Sequence, residues 1–489
     1  MDGPRPRWTS IPSAALRAAW TGPVAAFAVA LAIRVYWVRH WILPPYGDQA
    51  SLERFAGNVA HGLLYGTHGA YWPPAFVFLA GAVERAFGTG HHLLAVRTAD
   101  AVLGALAAAL TADLARRLLR SPPAGLAAGL LWAVYVPAVY YTDAFLAVTL
   151  GTLMLLAVCD AGVAYGDRPG GTRLAVVGLL LGLAALTKPT ELPLVVPLGL
   201  QWGLRGSRGF DWAFALRSAA ATLALALVVN VPWTLRNLHV TGAPVFVDMN
   251  GGINFYIAHN PRATGEFVDL GPANPVLLRG AGYDAPETGA LALRAGVAYF
   301  AAHPGADARE AATVLRYFWT MRDPDIATYG GEIYRLAARL RAPAWGFGVV
   351  RDLGLLGAAF WARRWRRMAV LPATVLGYCG GLALLFFAPR FRLPVEPLLA
   401  ISAAWAAVRV SAAVAAEWRR AAPVGAGHGA RTTGEAAVAD GPQRPAGRAG
   451  PQGPATRSAA MGRPPGLPET SAGRRRTPRP AAPGALRIR

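Results

Sequence analysis

Apolar runs of roughly 18–22 residues recur along the chain, most of them closed by a short polar stretch that carries arginine. Runs of that length cross a bilayer as helices, because about 20 residues at 1.5 Å per residue cover a hydrocarbon core of roughly 30 Å. They lie at about 18–38, 94–116, 123–140, 144–164, 212–233, 345–362, 368–388 and 393–412, with two shorter runs at 174–187 and 190–204 read as spans with them. Only helices and closed barrels satisfy their backbone groups in lipid, and the runs are too long for barrel strands. The pattern predicts an all-α polytopic membrane protein of about ten spans.

One segment is ambiguous. Residues 71–88 (YWPPAFVFLAGAVERAFG) are apolar but contain Glu84 and Arg85. If they spanned, Arg116, Arg117, Arg120, Arg205 and Arg208 would all fall outside. If they lie in the interface, every arginine-rich loop from Arg116 onward falls on the cytoplasmic side, which the positive-inside bias favours. On that reading 1–17 is a basic cytoplasmic tail and 41–92 is an external loop with interfacial helices. Residues 234–344 form a long external loop, and both termini are cytoplasmic. Arg34 and Arg39 then lie near the outer end of the first span, where their stems can snorkel. Residues 18–38 are too long for a typical signal-peptide core and are followed by further apolar runs, so they read as a retained anchor. Residues 413–489, rich in Pro, Gly, Ala and Arg, cannot bury a core and are expected to be a disordered basic cytoplasmic tail. Its charge could draw it to anionic headgroups, though a solvated tail without a specific partner is the simpler reading.

Composition agrees with the pattern. The 489 residues are 54% hydrophobic and 15% charged, with mean hydropathy +0.33, against about 25% charged in soluble domains. The net charge of +21 does not mark a nucleic-acid binder, because the arginines cluster in short loops and in the tail. Cys159 and Cys379 lie inside apolar runs and point to neither a disulfide nor a metal site. There is no P-loop, HExxH or CxxC, no internal repeat, and no inverted pair of broken helices. Gly178 with Gly182, and Gly377 with Gly381, have the spacing of close helix packing.

Ionisable groups at membrane depth are costly and usually functional. On the favoured topology many of them collect at the external face. Asp48 and His68 lie in the first loop, and Arg97 heads the second span. Asp143 lies between the third and fourth spans and Lys188 between the fifth and sixth. Arg236 begins the long loop, and Arg390 and Arg392 precede the last span. A carboxylate beside cations suits a reaction in which a phosphate departs with negative charge while a nucleophile loses its proton. Plainer roles stand beside these. Asp48 could cap a helix starting near Ser51, and Asp143 could cap the next span. Arg97 could snorkel or pair with Asp100. Lys188-Pro189 could be an ordinary loop, and Arg390 and Arg392 could be interface anchors. His68 could be a solvated loop histidine, and His91-His92 have no partner set for a metal.

Several stretches, taken in order, resemble a known group. They are GDQASLERFAGNVAHGLLYG, YWPPAFVFLAGAVERAFG, LLAVRTADAVLGALAAALTADLARRLL, YVPAVYYTDAFLAVTLG, GLLLGLAALTKPTELPLVVP, VPWTLRNLHVTGAPVFVDMNGGINFYIAHNPRATGEF and APRFRLPVEPLLAISAA. Across about residues 18–412 the chain resembles polytopic glycosyltransferases of the GT-C fold that use polyprenyl-phosphate sugars. This is the family 39, Rgt-type and lipid A aminoarabinose-transferase-like group. The resemblance implies a GT-C-like helix bundle and transfer with inversion from a polyprenyl-phosphate donor to an acceptor hydroxyl. It implies Asp48 as general base, Asp143 as a second acid, and Arg97 with Arg390 or Arg392 as holders of the donor phosphate. Lys188 and Arg236 join these as candidate phosphate cations, and His68 and Tyr71 as candidate acceptor or donor contacts. The implied partners are the lipid-linked donor, a protein, lipid or glycan acceptor and membrane lipids, with no nucleic acid.

Two departures narrow the match. Gln49 stands where many members carry a second acid, so no cofactor is certain and a divalent metal is possible but disfavoured. Trp72-Pro73 stands where the aminoarabinose transferases carry an acidic-lysine pair. A flippase for lipid-linked sugars is the alternative, and Gln49 also admits an inactive relative. The Ala-, Gly- and Arg-rich composition points to a bacterial plasma membrane, with the site facing the exterior.

Overall fold

The expected apolar runs form helices, and their departures from the expected spans place the site. The computed structural model describes residues 13–40, 44–63, 70–88, 90–205, 209–271, 273–279, 286–320 and 346–421. These fall in one unit, Met1–Ala422, with Pro423–Arg489 a separate one. His68 and most of the expected tail lie outside the described residues.

The first half comprises α1 (Ser13–His40), α2 (Asp48–Ala60), α3 (Pro74–Phe87), α4 (His92–Leu119), α5 (Pro122–Ala133), α6 (Val136–Tyr140), α7 (Val148–Asp167), α8 (Gly171–Thr187), a 3-10 turn (Pro189–Leu194), α9 (Val195–Gly203) and α10 (Trp212–Thr241). The long loop carries α11 (Asn250–Ala258), α12 (Pro275–Arg279), α13 (Pro286–Ala302) and α14 (Pro304–Thr320). The last third holds α15 (Phe347–Trp361), α16 (Trp365–Met368), α17 (Val370–Leu382), α18 (Pro389–Arg392) and α19 (Glu396–Ala421). No strand forms among the described residues beyond an isolated bridge between Glu266 and Phe387.

Five helical stretches are long and apolar enough to cross a membrane: Thr21–His40, His92–Leu119, Val148–Asp167, Trp212–Thr241 and Pro389–Arg420. Gly171–Thr187 and Val370–Leu382 are apolar but shorter. The last helix continues to Ala421 rather than ending near 412, because its alanine-rich sequence keeps a strong helix propensity beyond the apolar run.

The run at 123–140 is not one helix. It breaks between Ala133 and Val136. Pro137 has no N–H to return to the carbonyl four residues back, which is that of Ala133. Arg34 of α1 supplies the missing donor: its Nη1 donates to Ala133 O at 3.0 Å and its Nη2 to Trp132 O at 3.5 Å. Arg34 is fully buried and does not snorkel. The Ala133 carbonyl freed by the proline, buried away from water, gives the guanidinium a partner at this depth. Gly104 of α4 makes the room, since a Cβ there would meet Arg34 Nε at 2.5 Å. Gly104→Ala is therefore expected to destabilise the protein by about 1–3 kcal/mol, the usual cost of overpacking. A lowered melting temperature of the purified protein would show it, and an unchanged one would refute the fit.

Helix α1 packs against α4 and α5, the tightest approaches being at small residues. A Cβ at Gly129 would meet those of Ala26 at 2.6 Å and Ala112 at 2.8 Å. The contacts Gly22–Leu126 and Ala26–Gly129 advance together along α1 and α5, while Gly104–Arg34 and Ala112–Ala26 run in opposite order. Thus α4 returns antiparallel to α1, and the end of α1 at His40 and the start of α4 at His92 lie at the same end of the bundle.

The arginine-rich loops gather at the other end. Arg367 donates to the carbonyls of Leu118 (2.9 Å) and Arg117 (2.8 Å), and Arg364 to Leu119 (3.2 Å). These cations satisfy the last carbonyls of α4 at the negative end of its dipole. Arg117 bridges Asp113 (2.6 Å) and Asp160 (3.1 Å), and Arg205 reaches Asp167 (3.1 Å). At the opposite end, Met249 N–H donates to Ala70 O at 2.8 Å, tying the first loop to the long one.

Candidate active site

Gly47 has φ +53°, a left-handed value that glycine adopts freely, and it turns the chain directly into α2. Asp48 is thus the first residue of the helix and not its cap. Its Oδ2 lies 2.5 Å from Nη2 of Arg390. Arg390 comes from α18, whose first residue is Pro389, well suited to starting a helix. Both side chains keep access to solvent, Asp48 at 40% and Arg390 at 31% exposure.

The pair borders a cavity of about 310 Å³ whose wall is formed by Tyr46, Gly47, Gln49, Tyr140, Tyr141, Ala144, Leu146, Phe267, Ala388 and Pro389 as well. The break after α5 brings the two tyrosines here. Phe267 arrives on the loop after α11, where Phe387 N–H donates to Gly265 O at 2.8 Å. Its ring is exposed. Gln49 Oε1 accepts from Phe145 N–H at 3.4 Å, joining the first loop to the segment after α6.

Behind the tyrosines, Arg97 and Asp143 form a buried ion pair at 3.2 Å, with exposures of 1% and 5%. Arg97 therefore neither snorkels nor takes Asp100 as its direct partner. Asp143 does not cap α7, which begins at Val148 after Ala147. Asp100, one helical turn beyond Arg97, is buried with no hydrogen bond to its carboxylate oxygens.

Lys188 follows α8 and donates from Nζ to the Tyr378 hydroxyl at 2.9 Å. The ammonium also faces the ring of Phe391, 5.1 Å from its centre, in the residue next to Arg390. Burial pushes it down to about 8, with Glu191 opposing the shift and Arg390 adding to it.

The remaining candidates fall elsewhere. Arg392 is buried and committed to the fold: Nε pairs with Glu396 at 2.6 Å, Nη1 donates to Phe318 O at 2.7 Å, and its guanidinium stacks on Phe347. Glu396 also accepts from the Tyr135 hydroxyl at 2.7 Å. Neither the phosphate-binding nor the interface-anchor expectation describes this placement. Arg236 donates to Asn237 and lies over Trp233, and does not border the cavity. Tyr71 stands edge-on to Trp72 and packs on the apolar clusters.

Sequence reasoning missed the cavity's apolar wall and Glu191. The paired tyrosines of YVPAVYYTDAF carried a signal, as did Glu191, the one acid between residues 174 and 204. Phe267 carried none, since only the fold brings its loop to Arg390. Among the described residues no group of three or more His, Cys, Asp or Glu side chains gathers as a metal site.

Residues 72–235, about a third of the chain, match the family model described as dolichyl-phosphate-mannose-protein mannosyltransferase. That stretch carries α3 through most of α10, including Arg97, Asp143 and Lys188. No curated protein matches. Among solved structures, the chain is similar to the apo oligosaccharyltransferase of Archaeoglobus fulgidus, with 14% identity over 81% of this chain and 51% of that one and a TM-score of 0.48. It is similar to oligosaccharyltransferase AglB of the same organism in complex with an inhibitory peptide and a dolichol-phosphate, with 13% identity, 83% and 52% coverage and a TM-score of 0.49. It also resembles ArnT from Cupriavidus metallidurans bound to undecaprenyl phosphate, with 17% identity, 82% and 80% coverage and a TM-score of 0.37. The chain spans about half the length of the oligosaccharyltransferases.

Proposed function

We propose that this protein is a membrane glycosyltransferase of the GT-C type. It would move a sugar with inversion from a polyprenyl-phosphate donor to an acceptor hydroxyl. The observation that carries the reading is the Asp48–Arg390 pair at the border of a partly apolar cavity. The family match over 72–235 supports it.

In the proposed reaction the acceptor hydroxyl gives its proton to Asp48 as its oxygen bonds to the anomeric carbon. The bond from that carbon to the phosphate oxygen breaks, and its electron pair leaves with polyprenyl phosphate. Arg390 takes the phosphate charge, with Lys188 behind Phe391 as a second cation. Arg97, held by Asp143, supports the wall that carries Tyr140 and Tyr141. In the free protein Arg390 occupies Asp48 Oδ2. A donor phosphate competes for the same guanidinium, so donor binding frees the base as it fills the site.

The arginine-rich end of the bundle supports a cytoplasmic placement for that end and an external one for the cavity. With α5 and α6 counted as one interrupted crossing, about ten spans follow, with both termini cytoplasmic in a bacterial plasma membrane. A lipid-sugar flippase would use the same cations without chemistry. Mass spectrometry of envelope glycans and glycoproteins separates the two when deletion and complemented strains are compared with vesicle assays. The transferase reading expects one sugar to vanish on deletion and purified protein to form a new glycosidic bond. Substrate movement across vesicles with no new bond would overturn it.

A further inference from the structure

Among the described residues, Phe267 is the one wall residue of the cavity that comes from the long loop, and the reaction proposed above gives it no task. Its ring is 59% exposed. Single exposed aromatic rings are ordinary on a protein surface, but this one is held in place. Gly265, two residues before it, has φ +80°, a left-handed value that glycine adopts freely. The Gly265 carbonyl accepts from Phe387 N–H at 2.8 Å, and Glu266 forms the isolated bridge to Phe387. A Cβ on Gly265 would come within 3.0 Å of Thr313 on α14, so the turn is closed from behind. The Phe267 ring stands edge-on to Phe386 with centres 5.7 Å apart, and Phe386 lies 5.5 Å from Phe391. Phe391 is the neighbour of Arg390 and faces Lys188 Nζ at 5.1 Å. A row of rings thus fixes Phe267 relative to the two candidate phosphate cations.

The proposed reaction places the bond between anomeric carbon and phosphate between Asp48 and Arg390, so the donor sugar lies in this cavity. A sugar ring directs its hydroxyls outward and gathers C–H groups on its faces. Those C–H groups carry a slight positive charge and the face of an aromatic ring a slight negative one, so the two stack. The isoprenoid tail is a poorer match. Phe267 lies between α11 and α12, outside every candidate span, whereas a tail belongs with the spans in lipid.

We propose that Phe267 is a specificity-determining residue that stacks on the apolar face of the donor sugar, so that the site discriminates the loaded carrier lipid from the spent one. The proposal rests on the donor reading given above. It adds a group that recognises the sugar, where Arg390 and Lys188 recognise only the phosphate.

The test uses the full chain in nanodiscs and two kinds of probe. One is undecaprenyl phosphate, and the other is its esters with mannose, glucose, galactose and arabinose. Binding is compared for wild type, Phe267→Ala, Phe267→Leu and Phe267→Tyr. Each variant is expressed as a ratio to wild type for the same probe, so the different charges of the bare and esterified phosphate cancel. Phe267→Ala is expected to bind undecaprenyl phosphate within about twofold of wild type. It should bind the ester that wild type prefers about three- to tenfold more weakly, the range of a stacked aromatic contact. Phe267→Tyr keeps the ring and should stay within about twofold of wild type, whereas Phe267→Leu should fall close to Phe267→Ala. The melting temperature should not move, because the ring is mostly exposed. An equal loss for every probe, the bare carrier included, marks a lipid contact or a displaced Arg390 and overturns the proposal. So does an unchanged affinity for the preferred ester, or a wild type that binds the bare carrier and none of the esters. If wild type binds neither kind of probe, the donor reading fails first and takes the proposal with it.

Discussion

Asp48→Asn is expected to lower sugar transfer by about 10²–10⁴-fold, the usual contribution of a positioned general base, with little change in the amount of folded protein. The substitution keeps the shape of the side chain and an oxygen for Arg390 to donate to, but it removes the basic lone pair. Asp48 is 40% exposed, so its charge contributes little to stability in exchange with water. Donor binding should persist or improve, because Arg390 is held less tightly by a neutral amide. The loss should therefore fall on kcat and not on KM for the donor. Arg390→Gln provides the contrast, since it should raise KM for the donor by removing the phosphate contact. The measurement is the recovery of the missing envelope sugar when each variant is expressed in the deletion strain at matched levels, followed by initial rates. Full recovery with Asp48→Asn would remove Asp48 as the base and make transport the better account.

The helices were legible because membrane spans announce themselves. A run such as 94–116 is long, apolar and bounded by arginine, and α4 occupies it. What misled was local chemistry that only a partner helix resolves. Arg34 near the end of a span looks like a snorkelling side chain. It is buried because Pro137, about a hundred residues later, leaves the Ala133 carbonyl unpaired. Arg390 and Arg392 look equivalent two residues apart. Yet α18 puts one at the cavity and the other against Glu396 and Phe318. Asp48 and Arg390 lie more than three hundred residues apart, and their chemistry suggested a shared site before the fold brought them together. The apolar wall was not legible, since Phe267 differs in no local way from other loop aromatics.

Asp143→Ala is expected to cost about 3–5 kcal/mol and to lower the yield and melting temperature of folded protein. The reason is the partner. Arg97 is 1% exposed and lies 3.2 Å from Asp143, so the substitution strands a buried guanidinium that cannot be deprotonated. Asp100 and Glu53 also stabilise its charge but at longer range, which offsets only part of the loss. Removing both charges should behave differently. An Arg97→Met, Asp143→Leu double variant keeps the volume and deletes the ion pair as a unit, a change that is often neutral or stabilising. It should restore the folded yield and melting temperature. Transfer should stay low, because Arg97–Asp143 supports the wall beside the Asp48–Arg390 pair. Size-exclusion profiles and melting curves read the first property, and recovery of the envelope sugar reads the second. If the double variant recovered both, the pair would serve the fold alone and the catalytic expectation for Asp143 would fall. If Asp143→Ala melted within about a degree of wild type, the buried pair would not be what holds the segment after α6 in place.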